Sequence, residues 1–473
     1  MSKLDHLNPQ RVFHYFEEIC AIPHGSENMD GIAAYCVEFA EKNGLKAVRD
    51  RANNVIIYKD AACGYEEAAP VILQGHLDMV CQKTEKNSFD FLKDGLKVYA
   101  EGDFVKARGT TLGADNGIAV AMVLAILEDK TLAHPPLEAV FTTDEEIGMI
   151  GASQLDFSLL KGRKMINLDA EEEDSVTVSC AGGSDFQVRI PVKRTVCSGK
   201  KVILTVKGLA GGHSGVEIHK GRVNAARLGR HLLAMEGAEV IAYNSGDKAN
   251  AIPNLCCAEL CMTDLVAFGY AVKDFEKMLG SVCKTEPDIS FEVVEGKAGE
   301  YQVFTAETRE ALIAALTAPP DGVISMSREI EDLVETSLNW GIVATREEDI
   351  LLHAALRSNK EAALTALEER LKTFFPAEWI ITFGHYPSWE FKSDSSLQAL
   401  YKEIYEKQTG RAPKVEAIHA GLECGVFAAG LPGLDCIAIG PQLYDVHTVN
   451  EKLSISSLER IFALLLEILK ASR

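Results

Sequence analysis

Short, unbroken apolar runs are the feature that most constrains the fold of this chain. Residues 55–58, 71–73 and 139–141 are hydrophobic at every position instead of alternating between apolar and polar side chains. That pattern predicts strands buried on both faces, as in a largely parallel sheet covered by helices. The apolar segment 117–128 predicts one of the covering helices. The sequence therefore indicates an α/β fold.

The length of the chain and a change in its pattern predict two domains. A chain of 473 residues exceeds what one hydrophobic core usually serves. Beyond Gly182-Gly183, apolar residues alternate with polar ones, and near residue 393 the α/β character returns. We therefore predict an α/β domain in two parts, residues 1–185 and 386–473. An α+β domain is inserted between them at residues 186–385, with a long amphipathic helix expected over residues 221–235.

Charge and cysteine content argue against several classes of protein. The formal charge of -21 would repel phosphate backbones and anionic lipids, so neither nucleic acid nor a membrane is an expected partner. The 12 cysteines are scattered without a Cys-x-x-Cys pair, which favours reduced, mostly buried thiols. Residues 1–6 carry no apolar targeting segment, and the apolar stretch 118–127 is too short to span a bilayer. The expected location is the cytoplasm.

Histidines and carboxylates follow the predicted strands at the point where each strand ends. In sheets of this kind, functional groups collect beyond the carboxyl ends of the strands. A further acidic residue stands where the predicted helix begins, and a histidine stands near the end of the chain. These candidates are His76, Asp78, Asp115, Glu145, Glu146, Asp169 and His447.

These residue types suit a hydrolytic site that contains two metal ions. Imidazole and carboxylate bind zinc, and two neighbouring ions can share a carboxylate, for which Asp115 is the natural candidate. In His76-Leu77-Asp78 the carboxylate can accept the second imidazole N–H and orient the ring. Of the adjacent pair Glu145 and Glu146, one can bind metal while the other acts as a base.

Each of these motifs is weak by itself. His-x-Asp is common by chance, and a pair of glutamates after a strand is more often a solvated helix start. His447 alone would more often be a surface or core histidine. The agreement of three independent strand ends is the stronger argument.

Taken together and in order, the motifs resemble those of a known family. They are Gln74-Gly75-His76-Leu77-Asp78, Gly113-Ala114-Asp115-Asn116-Gly117, Thr143-Asp144-Glu145-Glu146-Ile147-Gly148, Asn167-Leu168-Asp169 and Asp445-Val446-His447. The chain is similar to the dinuclear zinc peptidases that include carboxypeptidase G and the aminoacylases, and most similar to their aminoacyl-histidine dipeptidase branch. The resemblance covers essentially the whole length. It implies a phosphorylase/hydrolase-like α/β catalytic domain with an inserted lid and dimerisation domain.

The resemblance also implies a role for each motif residue. His76 and Asp169 would hold one ion, Glu146 and His447 the other, and Asp115 would bridge both. Glu145 would be the general base and Asp78 the orienter of His76. Zinc is the expected metal, with manganese and cobalt as alternatives because they share these ligands.

In the inserted domain, the resemblance implies a second set of residues that act on the substrate. His213 would assist the tetrahedral intermediate, and Asn250, Arg357 and Gly421 would contact the substrate. Arg357 is suited to bidentate capture of a free carboxylate. On residue type alone, each of these four would more often be structural or on the surface.

The implied activity is hydrolysis of dipeptides, including Xaa-His dipeptides, by a metal-activated water, in a homodimer. The nearest alternative is an aminoacylase or tripeptidase on the same scaffold. A less favoured alternative is a non-catalytic binding protein that retains the fold.

Overall fold

A computed structural model describes residues 4–282 and 284–473, and within them the chain forms two compact units. The first comprises residues up to Ser179, Phe391–Ala417 and Leu422–Arg473; the second comprises Cys180–Glu390 and Ile418–Gly421. An α/β unit is thus interrupted by an inserted unit, in agreement with the predicted fold class.

The divisions between the units differ from the predicted 185/186 and 385/386. The first falls at 179/180, because the strand Gly182–Pro191 pairs along its whole length with Asp349–Ser358 of the second unit. The second falls at 390/391, since Trp389 bridges to Cys180. The short segment Ile418–Gly421 also belongs to the second unit, where Ala181 N and Asn359 Nδ2 donate to Ile418 O.

The first part of the chain supplies most of the α/β unit. Its helices are α1 (Gln10–Cys20), α2 (Asp30–Lys42), α3 (Ala114–Glu128) and α4 (Ile150–Gln154). Its strands are β1 (Lys46–Arg49), β2 (Val55–Lys59), β3 (Val71–His76), β4 (Val98–Glu101), β5 (Phe104–Ala107), β6 (Leu137–Thr142), β7 (Lys164–Asn167) and β8 (Ser175–Cys180).

The second unit is built around several long strands, with helices of four to eighteen residues. Its strands are β9 (Gly182–Pro191), β10 (Arg194–Lys207), β11 (Gly212–His213), β12 (Ala238–Ser245), β13 (Ala251–Ile252), β14 (Cys256–Met262), β15 (Ser290–Phe304), β16 (Gly322–Met326), β17 (Val334–Thr345), β18 (Asp349–Ser358) and β19 (Ile380–Tyr386). Its helices are α5 (Ala225–Leu228), α6 (Arg230–Leu233), α7 (Leu265–Val282), α8 (Ala306–Thr317) and α9 (Glu361–Lys372). The long strands form a sheet in the order β15-β10-β14-β12-β17-β18-β9-β19, with β16 beside β17.

The long helix predicted over residues 221–235 is wrong. The side chain of Asn224 accepts hydrogen bonds from the backbone N–H groups of Ala226 and Arg227, so the helix starts only at Ala225. Gly229, at φ -67° and ψ -10°, separates α5 from α6. There the backbone passes close to Tyr243 and Cys256, which leave no room for a side chain. Two single turns therefore replace one amphipathic helix.

The last part of the chain completes the first unit. It adds α10 (Ser396–Thr409), β20 (Lys414–Ile418), α11 (Glu423–Gly430), β21 (Asp435–Ala438), β22 (Leu443–Tyr444), β23 (Lys452–Ser454) and α12 (Ile455–Ala471). The main sheet of this unit has the order β1-β2-β6-β3-β7-β21-β8-β20, and β22-β23-β5-β4 form a smaller sheet. None of the helices in the described residues is both long enough and apolar enough to cross a membrane.

The centre of the main sheet is parallel. Strands β6, β3, β7 and β21 pair in parallel, whereas β2 pairs antiparallel with β6 and β8 with β21. Every residue of β3 and β6 is buried, as their unbroken apolar runs predict. Helix α3 is buried along nearly its whole length, and Gly117 lets it approach Phe16 and Ile19 of α1. The carboxyl ends of the parallel strands therefore meet at one edge of a well-packed sheet.

Candidate metal centre

The register of the parallel strands brings the predicted ligands together. His76 is the last residue of β3 and lies opposite Thr142, the last residue of β6. Gln74 of β3 lies opposite Asn167, the last residue of β7. Glu145 and Glu146 follow β6 directly, and Asp169 follows β7. All three segments thus leave the sheet at the same edge.

Asp115 occupies the middle of this cluster and contacts two histidines through different oxygens. Its Oδ1 lies 3.1 Å from His76 Nε2, and its Oδ2 lies 2.9 Å from His447 Nε2. Asp169 Oδ1 approaches His76 Nε2 at 3.4 Å, and Glu146 Oε1 approaches His447 Nε2 at 3.0 Å. Each imidazole therefore has one carboxylate of its own and shares Asp115 with the other.

The ionisation of these groups reflects their crowding. Burial alone would lower the pKa of His76, but Asp169, Asp115 and Asp78 outweigh it and raise that pKa well above its usual value. Hydrogen bonds to Asp115 and Glu146 raise the pKa of His447 to about 11. Burial, with the charges of Asp115 and Glu146, raises the pKa of Asp169 to about 6 in spite of His76. The two imidazoles therefore favour their protonated forms beside these carboxylates.

The donor set fits divalent cations. His76, Asp115 and Glu146 each offer one ligand atom, and the three atoms lie within 4.8 Å of one another among the described residues. His76 is 1% exposed and Asp115 13%, so these ligands have little water to compete with a bound ion. Nitrogen and carboxylate oxygen are the donors that zinc takes at hydrolytic sites. Because such ligands must be deprotonated, a bound ion would replace the protons on the two imidazoles.

Asp78 does more than face the ring of His76. Its Oδ1 lies 3.4 Å from His76 Nδ1, but its backbone oxygen is nearer, at 3.0 Å. The carboxylate also accepts the backbone N–H of Glu145 at 3.0 Å and that of Glu146 at 3.2 Å. Ser26 Oγ donates to it at 2.8 Å. Asp78 therefore holds the turn that carries both glutamates as well as the histidine ring.

Glu145 stands apart from the imidazoles in the same acidic surroundings. Burial, and after it the negative charges of Asp169, Glu423 and Glu146, raise the pKa of Glu145 well above its usual value, although His76 opposes this. A carboxylate with a raised pKa can accept a proton and pass it on near neutral pH. Of the two adjacent glutamates, only Glu146 lies against His447.

Two contacts that the sequence analysis did not predict position Asp115 and His76. Glu451, 4% exposed, accepts the backbone N–H groups of Leu112 (2.7 Å), Gly113 (3.1 Å), Ala114 (2.8 Å) and Asp115 (3.4 Å). Asn116 accepts the N–H of His76 at 3.1 Å and donates to Leu168 O at 2.9 Å. The peptide bond between Asp115 and Asn116 is cis.

No local pattern in the sequence indicated these two contacts. Gly75 is required beside Asn116, because a Cβ there would lie 2.4 Å from Asn116 Oδ1. Glu451 is separated by more than 330 residues from the turn it binds. Its position four residues after His447 is the one signal that could have drawn attention to it.

Two of the predicted substrate residues line a polar cavity in the second unit. Asn250 and Arg357 line a cavity of about 240 Å³, together with Ser184, Asp185 and Tyr386. Arg357 is 9% exposed and donates from Nη1 to Tyr386 Oη at 2.9 Å, while its buried Nε has no partner among the described residues. The guanidinium therefore retains a free donor.

His213 and Gly421 also lie in the second unit. His213 Nδ1 accepts the N–H groups of Gly215 and Val216, each at 3.2 Å. Burial, and then the charge of Arg357, lowers the pKa of His213, so the ring is neutral with its proton on Nε2. Ser214 N donates to Asn250 O at 2.9 Å, which ties the His213 turn to the cavity. Gly421 ends the segment Ile418–Gly421.

Imidazoles and carboxylates gathered beyond the carboxyl ends of parallel strands are a donor set typical of metal-dependent hydrolases. The model of peptidase family M20/M25/M40 matches residues 72–471, and the chain belongs to this family. The family resemblance seen in the motifs is thereby confirmed.

Comparisons with individual proteins agree over the full length. The cytosol non-specific dipeptidase of Escherichia coli is 37% identical, with 99% of each chain covered. The crystal structure of aminoacylhistidine dipeptidase from Vibrio alginolyticus has a TM-score of 0.91 at 36% identity and covers 99% of this chain and 98% of that one. Aminopeptidase PepT from Bacillus cereus shares the fold, with a TM-score of 0.58 at 14% identity over 98% of this chain and 99% of that one.

Proposed function

We propose that this protein is a metal-dependent dipeptidase that hydrolyses short peptides, Xaa-His dipeptides among them. The observation that carries the proposal is Asp115, whose two oxygens face two different imidazoles, each with a further carboxylate. This is the donor arrangement that a pair of cations sharing one carboxylate requires. The full-length similarity to two proteins named as dipeptidases supports the substrate class.

In this proposal His76 and Asp169 would hold one ion, Glu146 and His447 would hold the other, and Asp115 would contribute to both. Zinc suits the donor set best, and manganese or cobalt could substitute. When bound, the ions supply Lewis acidity that polarises the peptide carbonyl and lowers the pKa of water.

The protein's own residues handle the protons. Glu145, with its raised pKa, takes a proton from the attacking water and delivers it to the leaving amine. Asp78 keeps Glu145 in place through the Glu145 backbone N–H and keeps the His76 ring oriented. His213, neutral and carrying its proton on Nε2, donates to the oxyanion of the tetrahedral intermediate.

Substrate recognition is assigned to the second unit. The guanidinium of Arg357, with its free Nε donor, would capture the terminal carboxylate of the dipeptide, and Asn250 and Gly421 would contact the dipeptide backbone. We also propose that this unit carries a homodimer interface. The proposed location is the cytoplasm, because the name of the E. coli relative places that protein in the cytosol.

The test is a substrate panel with metal-reconstituted enzyme. Xaa-His and other dipeptides, tripeptides and N-acetyl amino acids are assayed with zinc, manganese or cobalt, before and after chelation. We expect dipeptides to be turned over fastest and chelation to abolish the activity. A preference for N-acetyl amino acids or tripeptides would instead identify an aminoacylase or a tripeptidase, and activity that survives chelation would reject the metal mechanism.

A further inference from the structure

A buried carboxylate that the proposed reaction does not use lies beneath the metal centre. Glu423, the first residue of α11, is 0% exposed. Its Oε2 accepts hydrogen bonds from Gln74 Nε2 at 2.5 Å and from Thr142 Oγ1 at 2.6 Å. Its Oε1 has no hydrogen-bond partner among the described residues. A buried carboxylate is costly, so its presence here calls for a specific role.

The residues that bind Glu423 belong to the strands that carry the predicted ligands. Gln74 precedes His76 by two residues on β3, and Thr142 is the last residue of β6 before the Glu145 turn. Gln74 Oε1 in turn accepts Asn167 Nδ2 at 2.5 Å, and Asn167 ends β7, two residues before Asp169. One side-chain network thus joins the ends of the three strands that supply His76, the glutamates and Asp169.

The hydrogen bonds of Gln74 and Thr142 agree with one another in direction. Gln74 Oε1 accepts a hydrogen bond from Asn167 Nδ2, and Gln74 Nε2 faces Glu423 and Thr142, at 2.5 and 3.2 Å. The Thr142 hydroxyl has one proton and lies 2.6 Å from Glu423 but 3.4 Å from Gly75 O, so it donates to Glu423. Removing Glu423 would leave buried donors on two strands without their acceptor.

We propose that Glu423 is a positioning residue that fixes the spacing of the three strand ends and thereby the geometry of the metal ligands. The hydrogen bonds of Glu423 go to Gln74 and Thr142 and not to the proposed metal ligands. Glu423 therefore acts on the ligands indirectly, through Gln74, Thr142 and Asn167. Residues that orient metal ligands in this way usually matter about 10- to 100-fold for metal affinity or activity.

What the network needs from Glu423 is an acceptor oxygen rather than a charge. Burial raises the pKa of Glu423 to about 7, although His76 opposes it, so the group lies near its midpoint at neutral pH. Glutamine at this position keeps one oxygen that can accept both hydrogen bonds, whereas alanine keeps none. The two substitutions therefore separate a positioning role from an electrostatic one.

The inference depends on the proposed metal site, and the experiment distinguishes a failure of either. The full-length protein is titrated with Co²⁺ in competition with a chelator, and the visible absorption of bound cobalt reports ligand geometry. The variants are Glu423→Ala, Glu423→Gln and Thr142→Val. The control is Glu138→Ala, which removes a buried carboxylate at the opposite end of β6, where Glu138 accepts the N–H groups of Lys161 and Gly162.

We expect Glu423→Ala to bind cobalt about 10- to 100-fold more weakly than wild type, with an altered spectrum. Glu423→Gln should stay near wild type, and Glu138→Ala should lose thermal stability while keeping the wild-type spectrum. Wild-type affinity and spectrum in Glu423→Ala, or equal losses in Glu138→Ala, would overturn the inference. Loss of binding in Glu423→Gln would overturn the positioning role in favour of charge.

Two further outcomes remain decisive. If Glu423→Ala does not fold, Thr142→Val carries the test, since it removes one donor of the network at nearly constant volume and should shift the cobalt spectrum in a folded protein. An unshifted spectrum in that variant would then overturn the inference. Failure of the wild-type protein to bind cobalt would reject the proposed metal function itself.

Discussion

The contact between Glu451 and the turn before α3 makes a quantitative prediction. The two oxygens of Glu451 each accept two backbone N–H groups, Oε2 from Leu112 and Gly113 and Oε1 from Ala114 and Asp115. In Glu451→Gln the shape is kept, but one oxygen becomes an NH₂ group that faces two N–H donors. Two backbone donors then lose their acceptor, and each loss costs about 1–3 kcal/mol. The free energy of unfolding should therefore fall by about 2–6 kcal/mol.

The structure also indicates which pair of donors is lost. The bonds to Oε2 measure 2.7 and 3.1 Å, and those to Oε1 measure 2.8 and 3.4 Å. Because the first pair is tighter, we expect the amide oxygen to stay with Leu112 and Gly113 and the NH₂ group to face Ala114 and Asp115. Asp115 would then be held less firmly, and metal affinity should fall by about tenfold or more.

The assay is urea unfolding of the chelator-treated protein, which removes stabilisation by bound metal. Circular dichroism follows both units. Tryptophan fluorescence follows the second unit alone, since Trp340, Trp379 and Trp389 all lie there. The matched control is Glu459→Gln, the same substitution at an exposed position of α12. If the free energy of unfolding of Glu451→Gln, measured by circular dichroism, lies within about 0.5 kcal/mol of that of the control, the reasoning is refuted. Ordinary surface substitutions change the free energy of unfolding by that amount.

Further predictions concern catalysis, metal, pH and substrate capture. Glu145→Gln should bind metal normally in a chelator competition but lose about 100- to 10,000-fold in kcat; full activity would remove Glu145 from the mechanism. Metal affinity should weaken as the pH falls, because an incoming ion displaces protons from the imidazoles; a titration that releases no protons would contradict this. His419 has its pKa lowered to about 3 by burial and by Arg357 and His213, so below pH 6.5 the unfolded chain binds a proton that the folded chain does not. The free energy of unfolding, followed by tryptophan fluorescence, should therefore fall by about 2 kcal/mol between pH 7 and pH 5. The His419→Gln variant should not show this decrease of about 2 kcal/mol. Arg357→Lys should raise KM for dipeptides without changing the cobalt spectrum, since lysine cannot form a bidentate pair; an unchanged KM would remove Arg357 from substrate capture.

The sheet and the ligand-bearing segments could be predicted because their signals are local. The apolar runs before His76 and Glu145 mark strands buried on both faces, and β3 and β6 are fully buried. The polar residues that follow then lie at the carboxyl edge of a parallel sheet. The helix predicted over 221–235 was wrong in its bounds because the Asn224 side chain caps the segment, which starts only at Ala225, and Gly229 divides it into two single turns. Apolar periodicity records neither feature.

The sequence by itself was enough to predict the α/β class, which the family match confirms, and to propose the inserted unit and the metal ligands, because apolar periodicity and short motifs depend only on neighbours in the chain. Only the tertiary structure decided how those ligands are held. Glu423 reaches Gln74 across 349 residues, and Glu451 reaches Leu112 across 339. A buried carboxylate is stable only where donors from distant segments converge on it, and that convergence is a property of packing that no short stretch of sequence carries.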